Sequence, residues 1–431
     1  MSGLRILVVG AGARQHALCW RLAREPGVGS VIVAPGNPMI ADVAEVRPEV
    51  DGDNVDAIVA LAVQERVDLV VVGPEDPLVA GVADRLAAAG IACFGPSAAA
   101  ARLEGSKAFA REVCRTAGVA MAHGRAFGDM RSAIEYADTL DLPLVVKADG
   151  LAAGKGVAIC ATLGAAERAI RESLEAGRFG DAGRTVVVEQ YLQGREASVF
   201  ALCDGTSYAL LPVARDHKRA FDLDAGPNTG GMGALSPVAE IDDPTLAAIG
   251  QTIVAPVLRD MAQRGTPFRG VLFCGLMLTA QGPRVLEFNI RFGDPEAQAV
   301  LPRVDAPLVE LMLECATGRL SSSGVLAVSP LATVALVLAA DGYPERARRG
   351  DAISGIDEAR ALGALVFGAG VVRGDGGEMV TAGGRVLTVV GTGDGVAAAA
   401  DMAYAAAARI DYAGKWSRRD IGRAPAPAVA A

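Results

Sequence analysis

The chain reads as an α/β and α+β multidomain protein, with an N-terminal doubly wound parallel sheet and a small C-terminal α+β domain. Three observations predict this. Four short apolar runs in the first hundred residues each end in a Gly or Pro turn that leads into a helical pattern. Such an alternation of strand and helix builds a parallel sheet. At 431 residues the chain has the length for two to four cores. Past Gly324 the texture changes to short strands and a long alanine-rich helix.

The first run, Arg5–Val9, ends in Gly10-Ala11-Gly12-Ala13-Arg14-Gln15-His16 and feeds an amphipathic pattern to about Arg24. Val31–Val33 runs into Pro35-Gly36-Asn37, Val67–Val72 into Gly73-Pro74-Glu75-Asp76-Pro77, and Ile91–Phe94 into Gly95-Pro96-Ser97. In a doubly wound sheet these turns gather beyond the carboxyl ends of the strands, where ligands bind. The opening turn is a poor dinucleotide fingerprint. Gln15 stands where the third glycine belongs, and Ala34-Pro35-Gly36 replaces the acidic ribose ligand. A small phosphorylated ligand at the turn and helix N-terminus fits better.

A second unit begins at Gly105, with Ser106 as N-cap of a helix over Lys107–Ala117. After Pro143, the run Leu144-Val145-Val146-Lys147 predicts a buried strand that delivers a lysine. Asp149–Val157 is glycine-rich and carries Lys155, but its GxxxGKG spacing is one residue short of a P-loop. A strand–loop–strand hairpin over phosphates is the geometry it predicts. Thr185–Val188 is the next buried strand, ending in Glu189-Gln190-Tyr191-Leu192, whose backbone can meet an adenine edge. Glu196 can reach a ribose or a metal-bound phosphate. The segment Asp222–Gly233 holds four glycines within eight residues and reads as an irregular, ligand-contacting loop.

Two further strands, Phe268–Leu278 and Arg284–Ile290, are predicted around the turn Gln281-Gly282-Pro283. Strict alternation puts Leu286, Phe288 and Ile290 on an apolar face and Glu287, Asn289 and Arg291 on the other. A carboxylate and an amide oxygen at i and i+2 suit a hard cation, which takes its remaining ligands from water and phosphates. Arg291 is then free to meet a phosphate or carboxylate bidentately. Gly293 and Pro295 turn the chain and present Asp294 and Glu296. In the last domain, Ala332–Ala339, Ala364–Ala369, Arg385–Val390 and the helix to Ile410 carry no catalytic constellation, so it reads as mainly structural, closing one side of the site.

Composition narrows the partners. A net charge of −9 and scattered basic residues argue against nucleic acid. Seven cysteines without metal-ligand spacing read as buried free thiols in a reducing compartment. The absence of an apolar run near 18 residues argues against a membrane span, and the strand at the very N-terminus against a signal peptide. The expectation is a cytoplasmic protein.

Taken together, Gly10–His16, Ala34–Asn37, Gly73–Leu78, Leu103–Lys107, Lys147–Val157, Asp216–Arg219, Gly226–Gly233 and above all Arg291–Gln298 make the chain resemble the glycinamide ribonucleotide synthetase family, ATP-grasp ligases of purine biosynthesis. The resemblance implies a Rossmann-like substrate domain at 1–104 and a central ATP-grasp fold of two subdomains at 105–325, its lid at about 120–192. A C-terminal α+β domain at 326–424 and a disordered tail at 425–431 follow. It implies ligation of glycine to 5-phosphoribosylamine through glycyl phosphate, giving glycinamide ribonucleotide, ADP and phosphate. The alternative is another ATP-grasp ligase or carboxylase acting on a related small substrate. The resemblance further implies ATP and Mg²⁺ or Mn²⁺ as cofactors and the two small substrates as partners, bound by a monomer.

Residue by residue, the resemblance makes Glu287 and Asn289 metal ligands. It gives ATP to Lys107, Lys147, Gly154, Lys155, Gly156, Glu189, Tyr191, Leu192 and Glu196. Glycine and phosphoribosylamine fall to Gly10, Gly12, Arg14, Glu75, Asp216, Asn228, Thr229, Gly230 and Gly231, with Arg291, Asp294 and Lys218 as catalytic groups. Ala13, Gln15 and Ala297 depart from the family pattern, and Gln15 lacks the carboxylate that the family carries there. Chemistry of this kind asks for alignment and for cations around the transferring phosphoryl group, with no covalent enzyme intermediate.

Overall fold

The computed structural model describes residues 3–152 and 156–423. At its N-terminus five parallel strands lie side by side in the order Glu45–Val46, Val28–Pro35, Leu4–Gly10, Leu69–Val72, Ala92–Phe94. The opening strand is buried on both faces, and its alternate residues serve different cores. Leu7 and Val9 pack with Ile58, Leu61 and Leu86, whereas Ile6 and Val8 pack with Ala17, Leu18 and Leu22. Helices on both faces follow from this, as a continuous apolar strand requires. The first and third long strands flank the point where the order reverses, and the crevice at their carboxyl ends is the place for a ligand.

The strands on either side of the glycine-rich segment belong to a four-stranded antiparallel sheet ordered Gly124–Phe127, Val186–Gln190, Leu144–Ala148, Val157–Cys160. Helices Met130–Ala137 and Leu163–Leu174 cover one face, where Leu144 and Val146 meet Ala133, Ala137, Ile170 and Val188. Lys147 therefore points to the other face. Ser106 caps the helix Lys107–Ala117, its hydroxyl accepting from the Phe109 N–H at 3.1 Å.

A third sheet, ordered Gly282–Asn289, Arg269–Thr279, Arg195–Asp204, Tyr208–Leu210, Gly324–Val325, carries the strand singled out above. Its alternation is broken by a bulge, since Gly275 opposes Glu287 but Leu276 opposes Val285. Leu286 is thereby turned away from the face expected of it. Val285 joins Phe288 and Ile290 in the main core, and Leu286 packs with Ala122, Leu192 and Met277. A single extra residue re-aims the side chains around it.

The last sheet is ordered Arg215–Asp216, Gly233–Ser236, Ala332–Ala339, Arg385–Gly393, Leu365–Gly368. Two of its strands come from the segment that flanks Asp222–Gly233, so that loop is built into the C-terminal sheet. Part of the loop is also more regular than its composition suggests. Ala225–Asn228 pairs with Arg219–Phe221 as a short antiparallel ribbon, which satisfies backbone groups that an irregular loop would leave to water.

Candidate active site

The turn after the opening strand and the turn Arg291–Gln298 lie against each other. A methyl at Gly12 would stand 3.6 Å from Asp294 Oδ2. Arg14, the second residue of helix Ala13–Leu22, donates to the Phe292 carbonyl at 2.7 Å. It is buried, and burial together with the nearby Arg291 brings its guanidinium down to about 10. Its Nε is buried with no partner among the described residues, a spare donor. Gln15 closes the turn by accepting from the Gly12 N–H at 3.0 Å. Its amide fills the space that side chains at Gly10 and Gly73 would need, at 2.6 and 2.0 Å from their hypothetical Cβ atoms. The neutral amide thus holds the fold of the turn.

Arg291 is engaged from the N-terminal side. Its Nε lies 3.0 Å from Glu75 Oε2 and its Nη2 3.1 Å from Glu104 Oε1, while Glu104 Oε2 accepts from the Ile290 N–H at 2.8 Å. The edge expected to face a ligand is occupied by two protein carboxylates, which belong to elements about 200 residues earlier. Burial opposes ionisation of both acids. Glu75 stays below the ordinary carboxylate range because Arg291 and Arg14 face it, whereas Glu104, more deeply enclosed, is lifted to about 7. Asp294 accepts from the Gln298 amide at 2.8 Å and meets Arg385 at 3.2 Å. Against the pull of burial, Arg385 and Arg14 keep it ionised below its usual value.

Around Glu287 the charges alternate. Lys218 Nζ is 2.8 Å from Glu196, 3.8 Å from Glu287 and 4.0 Å from Asp216. Burial would raise the pKa of Glu287, yet Lys218, Lys147, Lys107 and Arg291 outweigh it and hold the carboxylate ionised. Asp216 has less help and is lifted to about 7 by burial. Asn289 is 9% exposed and lies on the same strand, two residues on from Glu287. Lys107 Nζ donates to the carbonyl of Gly150 at 3.1 Å, and burial lowers its pKa. Lys147 Nζ lies 2.6 Å from Glu189 and 3.0 Å from the Leu286 carbonyl. Glu189 is in turn held by Arg111 at 2.7 Å. Beyond it Tyr191 is exposed and Leu192 buried. A Cβ at Gly156 would stand 2.8 Å from that of Ala152 and 3.2 Å from that of Ala148. Gly154 and Lys155 lie outside the described residues.

The glycine-rich loop reaches this centre by its second half. The Thr229 N–H and hydroxyl donate to the Lys218 carbonyl at 2.8 and 2.9 Å, and the Thr229 hydroxyl accepts from the Gly231 N–H at 2.9 Å. Gly231 has φ +110° and packs on Pro295, where a Cβ would come within 2.5 Å. Only glycine fits that close approach. Asn228 stays exposed on the short ribbon.

Arg385 is one residue that sequence reasoning missed. One of its nitrogens donates to the carbonyls of Gly230 at 2.6 Å and Asp294 at 2.7 Å. It ties the glycine-rich loop to the Asp294 turn from a domain read as mainly structural. Nothing in its spacing signals this, because its partners lie 91 and 155 positions away. Glu104 and Arg111 escaped notice for the same reason.

Residues 4–104, 105–297 and 333–424 match the N domain, the ATP-grasp (A) domain and the C domain of phosphoribosylglycinamide synthetase. The phosphoribosylamine–glycine ligase of Caulobacter vibrioides is 46% identical over 422 residues, 98% of each chain. The crystal structure of the phosphoribosylamine–glycine ligase of Thermotoga maritima superposes with a TM-score of 0.80 at 31% identity, covering 97% of this chain and 100% of that one. The biotin carboxylase domain of the Hydrogenobacter thermophilus 2-oxoglutarate carboxylase shares the fold, with a TM-score of 0.73 at 17% identity over 97% of this chain and 92% of that one.

Proposed function

The chain belongs to the phosphoribosylglycinamide synthetase family, and we propose that its central site joins glycine to 5-phosphoribosylamine at the expense of ATP, by way of glycyl phosphate. The arrangement that carries this reading is the Glu287 carboxylate, ionised among Lys218, Lys147 and Lys107 and paired with Asn289 on one strand. A carboxylate is a poor electrophile. The γ-phosphoryl of ATP passes to the glycine carboxylate with ADP as the leaving group. The amine of phosphoribosylamine adds to the acyl carbon, and phosphate leaves with its bonding electrons while the nitrogen gives up a proton to solvent as the amide forms. The protein's part is to align the reactants and to surround the transferring group with positive charge. Lys107 and Lys147 stand over the strand that bears Glu287, and Lys218 approaches from the segment that precedes the glycine-rich loop.

No group of three or more His, Cys, Asp or Glu that would hold a metal ion by itself occurs among the described residues. The ionised carboxylate of Glu287 and the amide oxygen of Asn289 fit Mg²⁺ or Mn²⁺ and would hold it, and the bound cation would supply positive charge beside the phosphates. The spare Nε of Arg14 suits the phosphate of the phosphoribosyl group. Seven buried, unpaired cysteines accord with a reducing compartment and so with a cytoplasmic setting. ADP release with each substrate omitted in turn tests the reading. Turnover should require glycine and phosphoribosylamine together, and equal ADP release with bicarbonate in place of glycine would transfer the protein to the carboxylases.

A further inference from the structure

Arg418 is among the largest fully buried side chains, yet it lies far along the chain from the residues discussed so far. Its Nε and Nη2 grip the two carboxylate oxygens of Asp420 at 2.8 and 2.6 Å. The remaining nitrogen reaches the ribbon that follows Lys218, donating to the Arg219 carbonyl at 3.1 Å and to Asp224 Oδ1 at 2.7 Å. Asp420 Oδ2 accepts from the Leu223 N–H at 2.9 Å, and Asp222 accepts from the Arg419 N–H and Nε at 2.7 and 2.8 Å. The ribbon needs such holding. Leu223 and Asp224 sit at φ +59° and +54°, a left-handed conformation that non-glycine residues adopt only when their surroundings impose it.

The other end of this C-terminal strap is anchored. Trp416 exchanges backbone hydrogen bonds with Ala339 at 2.8 and 3.1 Å, and its indole donates to the Ala340 carbonyl at 2.9 Å. Ile421 is fully buried and lies against Gly233, where a Cβ would come within 2.6 Å of its side chain. We infer that the strap Trp416–Ile421 is a positioning element for the substrate loop, with Arg418 as the positioning residue that sets where Lys218 and Thr229 stand. Arg418 touches no reacting atom. It holds the carbonyl next to Lys218 and the turn that returns the chain to Thr229, whose N–H and hydroxyl both bond the Lys218 carbonyl.

The inference rests on the reading of this loop as part of the glycine and phosphoribosylamine site. Asp224→Asn is the mild probe, because its side chain is 70% exposed and its loss leaves no buried cavity. Arg418→Lys keeps a charge and loses the fork, and Arg418→Ala removes both. Steady-state kinetics for each substrate should be combined with amide exchange of the full-length protein. Asp224→Asn and Arg418→Lys should accelerate exchange in residues 219–230 and leave the lid sheet unchanged. In Arg418→Ala, kcat/KM for glycine and for phosphoribosylamine should fall by about 10- to 100-fold, the scale for a group displaced by about an ångström. KM for ATP should stay within about twofold, and Arg418→Lys should recover part of the loss. Unchanged exchange at 219–230 in both mild variants, or equal losses for all three substrates, would overturn the inference. A wild-type protein that releases ADP without glycine would instead refute the substrate reading, and the exchange pattern alone would then decide the strap.

Discussion

Glu287→Gln is the substitution from which most can be learned, because it changes charge while keeping shape. In the folded protein this carboxylate balances Lys218 at 3.8 Å, with Lys147, Lys107 and Arg291 beyond. Two unit charges about 4 Å apart interact by about 4 kcal/mol at an effective dielectric near 20. The Glu287 side chain retains 36% of its surface, and solvent screening reduces that figure to roughly 1–2 kcal/mol. Lys218 loses this much counter-charge, and on the proposed assignment a divalent cation would lose the anionic one of its two protein ligands. Removal of one group that stabilises a transition state costs on the order of 10²–10³ in kcat. The expected result for Glu287→Gln is a fall of that size, partly recovered as Mg²⁺ is raised, with the melting temperature little changed. Asn289→Ala removes a dipole and should cost less. The assay is kcat against Mg²⁺ concentration for both variants, with thermal melts alongside. Near-normal turnover of Glu287→Gln at ordinary Mg²⁺ would refute the metal assignment and leave this strand face as solvated surface.

Gly12→Val should raise KM for phosphoribosylamine with ATP binding nearly intact, since a side chain there presses on Gln15 at 3.1 Å and approaches Asp294; a selective loss of ATP affinity would place the nucleotide at the wrong sheet. Arg385→Ala should free the Gly230 and Asp294 carbonyls together, lowering kcat/KM for both small substrates by about tenfold or more for a loss of ~1.4 kcal/mol or above; parallel initial-rate measurements with each substrate varied would show it. A further prediction concerns pH. Burial, with help from Arg360, holds His16 neutral down to about 3, and its Nδ1 accepts from the Gly368 N–H at 2.9 Å. The unfolded chain takes up this proton near 6.5 and the folded one does not, so stability falls as the pH drops from 6.5 toward 3, by up to about 1.4 kcal/mol per unit. His16→Asn should flatten the dependence of urea midpoints on pH across that range, and an unaltered slope would contradict it. Asp420 acts lower. Burial opposes but Arg418 prevails, setting its pKa at about 2, so its contribution is complete above about 4 and is lost as the pH falls through 2. Asp420→Asn should remove that part of the acid limb.

Patterns of short range were legible without coordinates. The four apolar runs of the N-terminal sheet, the Ser106 cap and the strand that delivers Lys147 each declare themselves within a few residues, because burial and capping act at fixed local spacing. The stretch Glu287–Asn289 was legible for the same reason, down to the placing of the two oxygen donors on one strand. Local pattern failed one residue earlier. The bulge that turns Leu286 out of the main core arises from its pairing with the neighbouring strand, and no spacing within the strand encodes it.

Sequence by itself thus determined the long apolar strands and the polar residues that each would carry. Tertiary structure decided which charges meet. Arg291 is engaged by Glu75 and Glu104, and Arg385 closes on Gly230 and Asp294. Arg418 holds the ribbon beyond Lys218 from nearly 200 positions away. Whether a buried ion is balanced depends on which opposite charge the packing of separate sheets brings within about 4 Å. That distance is a property of the assembled domains and of no segment taken alone.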